Sequence, residues 1–371
     1  MKINCTTQDL INALNVVSKT SINKTTMPIL EGVLIEASNN KVKFTTNDLN
    51  IGCENVISCD VEEAGKTVVD IKMLNDIIRK LESNKIVIEA DDKIFTIKST
   101  NGIFKLTVMN PEEYPKLPVF NVENSIELSQ KILKDMIRKT IFAVSNDENR
   151  PVYMGALVKV EDNILTIVSI DGFRLALKKY LSNKKIQDFK AIIPGKVLNE
   201  LLRILSDDEE STVKIGTNKN QALFEIGTST IVSRIIDGDF LNYNNIIPES
   251  KQTRVKVNTK TLLDSFERVA LFANESTEKE KKSPVKINIG IDGLTISCVS
   301  QTGDAKECIP AVVEGNELEI GFNPRFFIDA LKVIEDSEIY IDFNTNISPV
   351  LINPINGNDY LYVVLPIKLK Q

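Results

Sequence analysis

Along residues 72–81 (KMLNDIIRKL) the apolar side chains are Met73, Leu74, Ile77, Ile78 and Leu81, while Lys72 and Arg79 stand seven apart. At about 100° per residue the apolar positions fill one arc of a helix and the two bases lie nearly superposed on the opposite side. The pattern returns as KVLNELLRIL from Lys196, with Arg203, and as RFFIDALKVI from Arg325, with Lys332. Each copy also has an acid midway, Asp76, Glu200 or Asp329, within helical reach of either base. A solvated face with local ion pairs explains one such helix. Three copies in register ask for a shared cause.

A second set of segments supports a repeat: INCTTQDLINAL from Ile3, IELSQKILKDMI from Ile126 and VKVNTKTLLDSF from Val255. Its spacing follows that of the basic helices to within one residue over both intervals. Each segment alternates briefly, then passes an N-cap residue (Thr6, Ser129, Asn258) into helical spacing. Strand-like runs follow, EGVLIEASNNKVKFTTNDL, MGALVKVEDNILTIVSIDG and PVKINIGIDGLTISCVS, and past the first basic helix KIVIEADDKIFTIKSTNGIFKLTV with a turn expected at Asn101-Gly102. The chain thus reads as three α+β domains, each two copies of strand, helix, three strands. Irregular, proline-bearing joints at 111–124 and 246–253 place the domains at 1–120, 121–250 and 251–371. The charge-rich stretch 273–284 reads as a solvated loop.

At 371 residues, 42% hydrophobic and 26% charged, the composition is that of a multi-domain globular protein. No run has the length to span a bilayer and the N-terminus lacks a leader pattern, so a cytoplasmic protein with no membrane partner is expected. Five scattered cysteines, without metal-ligand spacing, read as reduced packing residues. Histidine is absent, which removes the commonest proton-transfer group and metal ligand. No phosphate loop, dinucleotide fingerprint, nucleophile elbow or zinc motif is present, and the run Asp207 to Glu210 reads as a solvated turn. Neither a cofactor nor a metal is expected. A net charge of −6 would repel a polyanion, so binding of nucleic acid needs positive residues gathered on one face. Sparse bases facing duplex DNA would attract its backbone without reading bases, and the midway acids would soften that attraction. From these features alone, an enzyme with a carboxylate or lysine site and a scaffold that only binds proteins both stay open.

The whole chain resembles the bacterial replicative sliding clamp, the β subunit of DNA polymerase III. The resemblance rests on KTTMPILEGVL and TTNDL in the first repeat, and on NRPVYMGALV, SIDGFRLAL and IDGDFLNY with its following IIP in the second. NELEIGFNP and YVVLPIKL in the third complete it. It implies a non-catalytic processivity subunit: a head-to-tail homodimer closing a six-domain ring, helices inside and sheets outside, around double-stranded DNA.

Position by position, the resemblance implies DNA contacts at Lys24, Lys72, Lys196 and Arg150, and the repeated pattern adds Arg79, Arg203, Arg325 and Lys332. It also implies a hydrophobic groove for short peptides of the replicative polymerase, the clamp loader and repair polymerases. That groove would be lined by Tyr153, Ile170, Gly172, Phe173, Arg174, Leu175, Leu241, Ile246, Ile347, Val363, Val364, Leu365, Pro366 and Ile367. Leu241 and Phe173 stand where the family commonly has proline and histidine. Subunit contacts would involve Phe104 and Leu106 on one side and Leu271 and Phe272 on the other.

Overall fold

The structure is a computed structural model that describes residues 1–22, 25–117, 124–183, 186–273 and 283–369. The expected order of strand, helix and three strands recurs through them. The first half-unit is β1 (Lys2–Thr6), α1 (Thr7–Val17), β2 (Gly32–Ser38), β3 (Lys41–Asn47) and β4 (Ile51–Ser58), followed by an additional short strand, β5 (Asp60–Glu63). The second is β6 (Gly65–Asp70), α2 (Ile71–Arg79), β7 (Lys85–Ala90), β8 (Ile94–Ser99) and β9 (Gly102–Thr107). The second repeat begins with β10 (Asn124–Ser129), α3 (Gln130–Arg138), β11 (Gly155–Glu161), β12 (Ile164–Ile170) and β13 (Arg174–Leu181). It continues with β14 (Phe189–Pro194), α4 (Gly195–Ile204), β15 (Thr212–Thr217), β16 (Gln221–Ile226) and β17 (Ser229–Arg234). The third opens with β18 (Thr253–Asn258), α5 (Thr259–Ala273), β19 (Val285–Gly290), β20 (Gly293–Val299) and the long β21 (Asp304–Gly315). It closes with β22 (Leu318–Phe322), α6 (Pro324–Leu331), β23 (Glu338–Phe343), β24 (Val350–Pro354) and β25 (Tyr360–Val364).

Local chemistry sets these boundaries. The Thr6 hydroxyl accepts from the Asp9 amide at 3.1 Å and the Asn258 side-chain Oδ1 from the Thr261 amide at 2.9 Å, each satisfying a helix-start donor. Asp70 and Asn323 do the same for α2 and α6. The β2–β3 and β11–β12 hairpins turn on Asn39-Asn40 and Asp162-Asn163, all at positive φ, where short polar side chains tolerate the left-handed region. The β8–β9 turn differs from expectation: Ser99 pairs with Gly102, so Thr100 and Asn101 form the tip and Gly102 already belongs to the strand.

The chain divides into two compact units. The first comprises Met1–Lys134 and Lys196–Ile235 and holds a five-stranded sheet, β5-β1-β7-β8-β9, and an eight-stranded one, β10-β15-β16-β17-β4-β3-β2-β6. Antiparallel pairing of β17 with β4, from Ser229 opposite Asn55 to Ser233 opposite Ile51, makes the latter continuous across two repeats. The second unit comprises Asp135–Gly195 and Ile236–Gln371 and holds a twelve-stranded sheet, β14-β11-β12-β13-β25-β24-β23-β18-β21-β20-β19-β22. Its continuity across repeats comes from β13 pairing with β25, from Arg174 opposite Val364 to Lys178 opposite Tyr360.

In the second unit α5 and α6 lay Leu262, Phe266, Val269 and Phe327 on the sheet, with the Phe266 and Phe327 rings stacked 4.7 Å apart. Each such side chain removed from water contributes about 1.5–3 kcal/mol. In the first unit α2 buries Ile71, Leu74 and Ile78, whereas Met73, expected in the apolar arc, is 55% exposed. Met73 lies about 100° around the helix from Leu74, at the arc's edge, so the stripe is narrower than the composition suggests.

Candidate functional site

The repeated basic positions are all on exposed helix faces: Lys72 and Arg79 on α2, Lys196 and Arg203 on α4, Arg325 at the start of α6 and Lys332 just past its end. Their partners differ. The midway acid pairs with one base in two helices, Glu200 with Arg203 at 3.2 Å and Asp329 with Arg325 at 3.6 Å. Asp76 pairs with neither Lys72 nor Arg79 among the described residues, and Arg79 instead donates to the Asn15 side chain. Lys332 reaches Glu267 at 2.9 Å. Pairs this exposed contribute at most about 1 kcal/mol, so a passing phosphate can compete for their bases.

Lys196 is held more firmly. Its ammonium pairs with Asp48, whose side chain is only 3% exposed and whose other oxygen accepts from the Asn50 and Ile51 amides at 2.9 and 2.7 Å. Arg150 lies 3.8 Å from Asp147 and close over Gly172, where a Cβ would come within 3.1 Å of its Nη1. The structure therefore sets Arg150 beside residues of the expected groove, a placement the sequence reading missed. Lys24 lies outside the described residues.

The expected groove falls within the second unit, where a small apolar cluster forms a floor. Ile170, Leu175 and Val363 are buried in it together with Leu157, Val168, Leu177, Ile192 and Phe240. Tyr153 and Ile246 pack on it half-buried, Tyr153 edge-on to Phe240 with ring centres 6.1 Å apart. Leu241 is 46% exposed beside buried Phe240. Past β25, Leu365 donates to the Phe173 carbonyl at 2.9 Å and Ile367 to that of Gly321 at 2.7 Å, which fixes the run with Pro366 along the edge. Ile347 is exposed in the β23–β24 loop.

Two expected groove residues point elsewhere. Arg174 and Val364 are paired neighbours of Leu175 and Val363, and alternation along a strand turns them to the opposite face of the sheet. Val364 is buried in the larger core with Phe327, and Arg174 is 8% exposed in a nest of its own. The guanidinium donates to Asp171 at 2.9 Å, to Asp329 at 2.6 Å and to the Phe142 carbonyl at 2.6 Å, and lies over the Phe142 and Phe326 rings. Three of its five N–H donors are thus committed within the protein.

Gly172 and Phe173 form the turn between β12 and β13. Asp171 accepts from the Phe173 and Arg174 amides at 2.9 and 3.0 Å, and Gly172, at φ +94°, supplies the conformation a side chain would resist. The turn presents Phe173, 61% exposed, stacked on Phe326 of α6 with ring centres 6.1 Å apart. Phe240 and Phe326 escaped the sequence reading. The signal for Phe240 was its place in IDGDFLNY, one residue before the chosen Leu241.

At the expected subunit contacts, Phe104 is exposed and Leu106 half-buried on β9, an edge strand that also exposes Ile103. Leu271 is exposed, while Phe272 packs half-buried against the core. Among the described residues no cluster of acids or cysteines could hold a metal ion, and no helix is long and apolar enough to cross a membrane. Asp207 and Glu209 pair with Lys134 and Lys131 at 2.7 and 2.6 Å, in keeping with a solvated turn.

Comparison with known proteins accounts for this arrangement along the whole chain. Family models of the DNA polymerase III beta subunit match in order: the N-terminal domain at residues 1–118, the central domain at 127–242 and the C-terminal domain at 244–368. The beta sliding clamp of Halalkalibacterium halodurans is 35% identical, covering 96% of this chain and 97% of the relative. That of Bacillus subtilis is 33% identical, covering 99% of this chain and 100% of the relative. The crystal structure of the DNA polymerase sliding clamp from Bacillus subtilis matches all of both chains with a TM-score of 0.94 at 32% identity. The chain belongs to the DNA polymerase III beta subunit family, the beta sliding clamps.

Proposed function

We propose that two copies of this chain, each with domains at 1–120, 121–250 and 251–371, close head to tail into a ring. The ring encircles duplex DNA and tethers the replicative polymerase without itself catalysing a reaction. The observation that carries the reading is the rule by which the repeats join. β4, which ends the strand run of one half-unit, pairs with β17, which ends the run of another, and β13 pairs with β25 in the same way. Continuing that series leaves β21 and β9 as the remaining complementary ends. β9 pairs only with β8, and the stretch 304–310 of β21 pairs only with β20, among the described residues. An unpaired apolar edge such as β9 is a template for another strand. Pairing it with β21 of a second copy would cover Ile103, Phe104 and Leu106.

The exposed bases of α2, α4 and α6 support an inward, DNA-facing role: Arg203, Arg325 and Lys332 have exposed partners that a phosphate can displace, whereas Lys196 stays anchored to Asp48. The apolar floor under Tyr153, Leu241 and Ile246 supports docking of short apolar peptides from the polymerase, the clamp loader and repair polymerases. Retention on circular against linearised DNA, after loading, tests the ring: loss from linear DNA alone is expected, and equal loss from both refutes encirclement. Charge reversal at Lys72, Lys196 and Arg325 together is expected to impair loading while peptide affinity holds. A fall in peptide affinity instead would refute the separation of the two surfaces.

A further inference from the structure

We infer that Asp329, on the basic helix α6 and outside the groove, is a positioning residue for the groove's rim. The inference rests on the peptide-groove reading above. As the midway acid of its helix, Asp329 would serve only to soften Arg325. The geometry gives it a second and closer partner: its Oδ2 accepts from Arg174 at 2.6 Å, against 3.6 Å to Arg325. The shorter contact is a charge-assisted hydrogen bond to a guanidinium that is almost wholly buried.

From Arg174 the chain of contacts leads to the rim. The Arg174 Nε donates to Asp171 at 2.9 Å, and the other Asp171 oxygen accepts from the Phe173 amide at 2.9 Å, so one carboxylate holds both the cation and the turn. α6 also supplies Phe326, which stacks on Phe173 and lies under Arg174, its ring centre 4.8 Å from the guanidinium carbon. The most exposed aromatic of the rim is therefore fixed twice from α6, through charge and through its ring. Residues 171–174 are adjacent to Leu175 of the floor, so a shift of this turn moves rim and floor together.

The acid belongs to a helix that carries a DNA-facing base, and the two roles make opposite demands on it. Removing its charge releases Arg325 for phosphate and loosens the hold on Arg174. A residue needed only for folding would lower both activities together.

The test uses full-length chain, a fluorescein-labelled short apolar peptide selected by display against the wild type, and a labelled DNA duplex. D329N is expected to weaken peptide binding about tenfold, to leave duplex binding unchanged or up to about threefold tighter, and to be rescued for peptide binding by D329E. Peptide affinity within twofold of wild type in D329N overturns the inference, as does a parallel fall in peptide binding, duplex binding and melting temperature. Phe173→Ala separates the two levels of the argument. Loss of peptide binding in Phe173→Ala with none in D329N rejects the positioning role alone, and retention in both rejects the groove reading.

Discussion

The two places where repeats fuse into a continuous sheet use the same backbone device with different side chains. At the β4–β17 joint the side-chain contacts are mainly neutral: Asn55 donates to Thr228 at 3.2 Å and to Ser229 at 2.7 Å, with the Lys196–Asp48 pair added. At the β13–β25 joint they form an ionic mesh. Lys178 pairs with Asp359 and lies 3.8 Å from Asp135, which also takes Lys139 and Arg138 at 2.9 Å. Arg174 adds Asp171 and Asp329, and Tyr360 donates to Asp336 at 2.6 Å. Backbone pairing thus sets the architecture, and side chains decide what each joint responds to.

The largest expected effect separating the joints is that of Arg174→Ala. It leaves Asp171 and Asp329 without their shared cation, at a cost of about 3–5 kcal/mol. Urea unfolding should show the loss, with amide exchange rising across β13 and β25 and little changed across β4 and β17. Equal exchange at both joints would mean that they are not energetically separate. Asn55→Ala is the reciprocal change, with an expected cost of about 1–2 kcal/mol from two lost hydrogen bonds. It should raise exchange at β4 and β17 only.

Acid gives a smaller contrast. Burial pushes the Asp135 carboxyl up, but hydrogen bonds from Lys139 and Arg138 outweigh it and hold the group below its ordinary value. Glu335 is held low chiefly by Arg138. For groups depressed in this way, stability is complete above the unfolded value of about 4 and is lost as pH falls through the lower folded value. Amide protection at the ionic joint, corrected for the intrinsic slowing of exchange in acid, should therefore fall as pH drops below about 4, with Asp135→Asn flattening the response. Salt at 1 M, where the screening length is about 3 Å, should have the least effect, under threefold in exchange at the ionic joint, because Arg174, Lys178 and Lys139 at its centre are nearly buried. A larger change would mean that its pairs are open to water.

The repeat and its basic helices were legible in the sequence because helical periodicity and register are local, and three copies reinforced one another. The joints were not. Every strand alternates apolar and polar residues, and nothing in that alternation says that Ile231 faces Cys53 rather than another strand's residue. The expected groove runs 172–175 and 363–367 are contiguous in sequence, whereas the period of two along a strand turns Arg174 and Val364 to the face opposite Leu175 and Val363. Asp329 was legible as a helix-face acid, but its bond to Arg174 spans more than a hundred residues and has no local trace.

The free edges β9 and β21 are unlike, so copies joined through them follow one another in a single rotational sense and cannot meet mirror-fashion. In the proposed assembly every peptide groove then opens towards the same side. An enzyme moored there would face one way along the double helix, and the clamp would give its cargo a fixed heading as well as a hold.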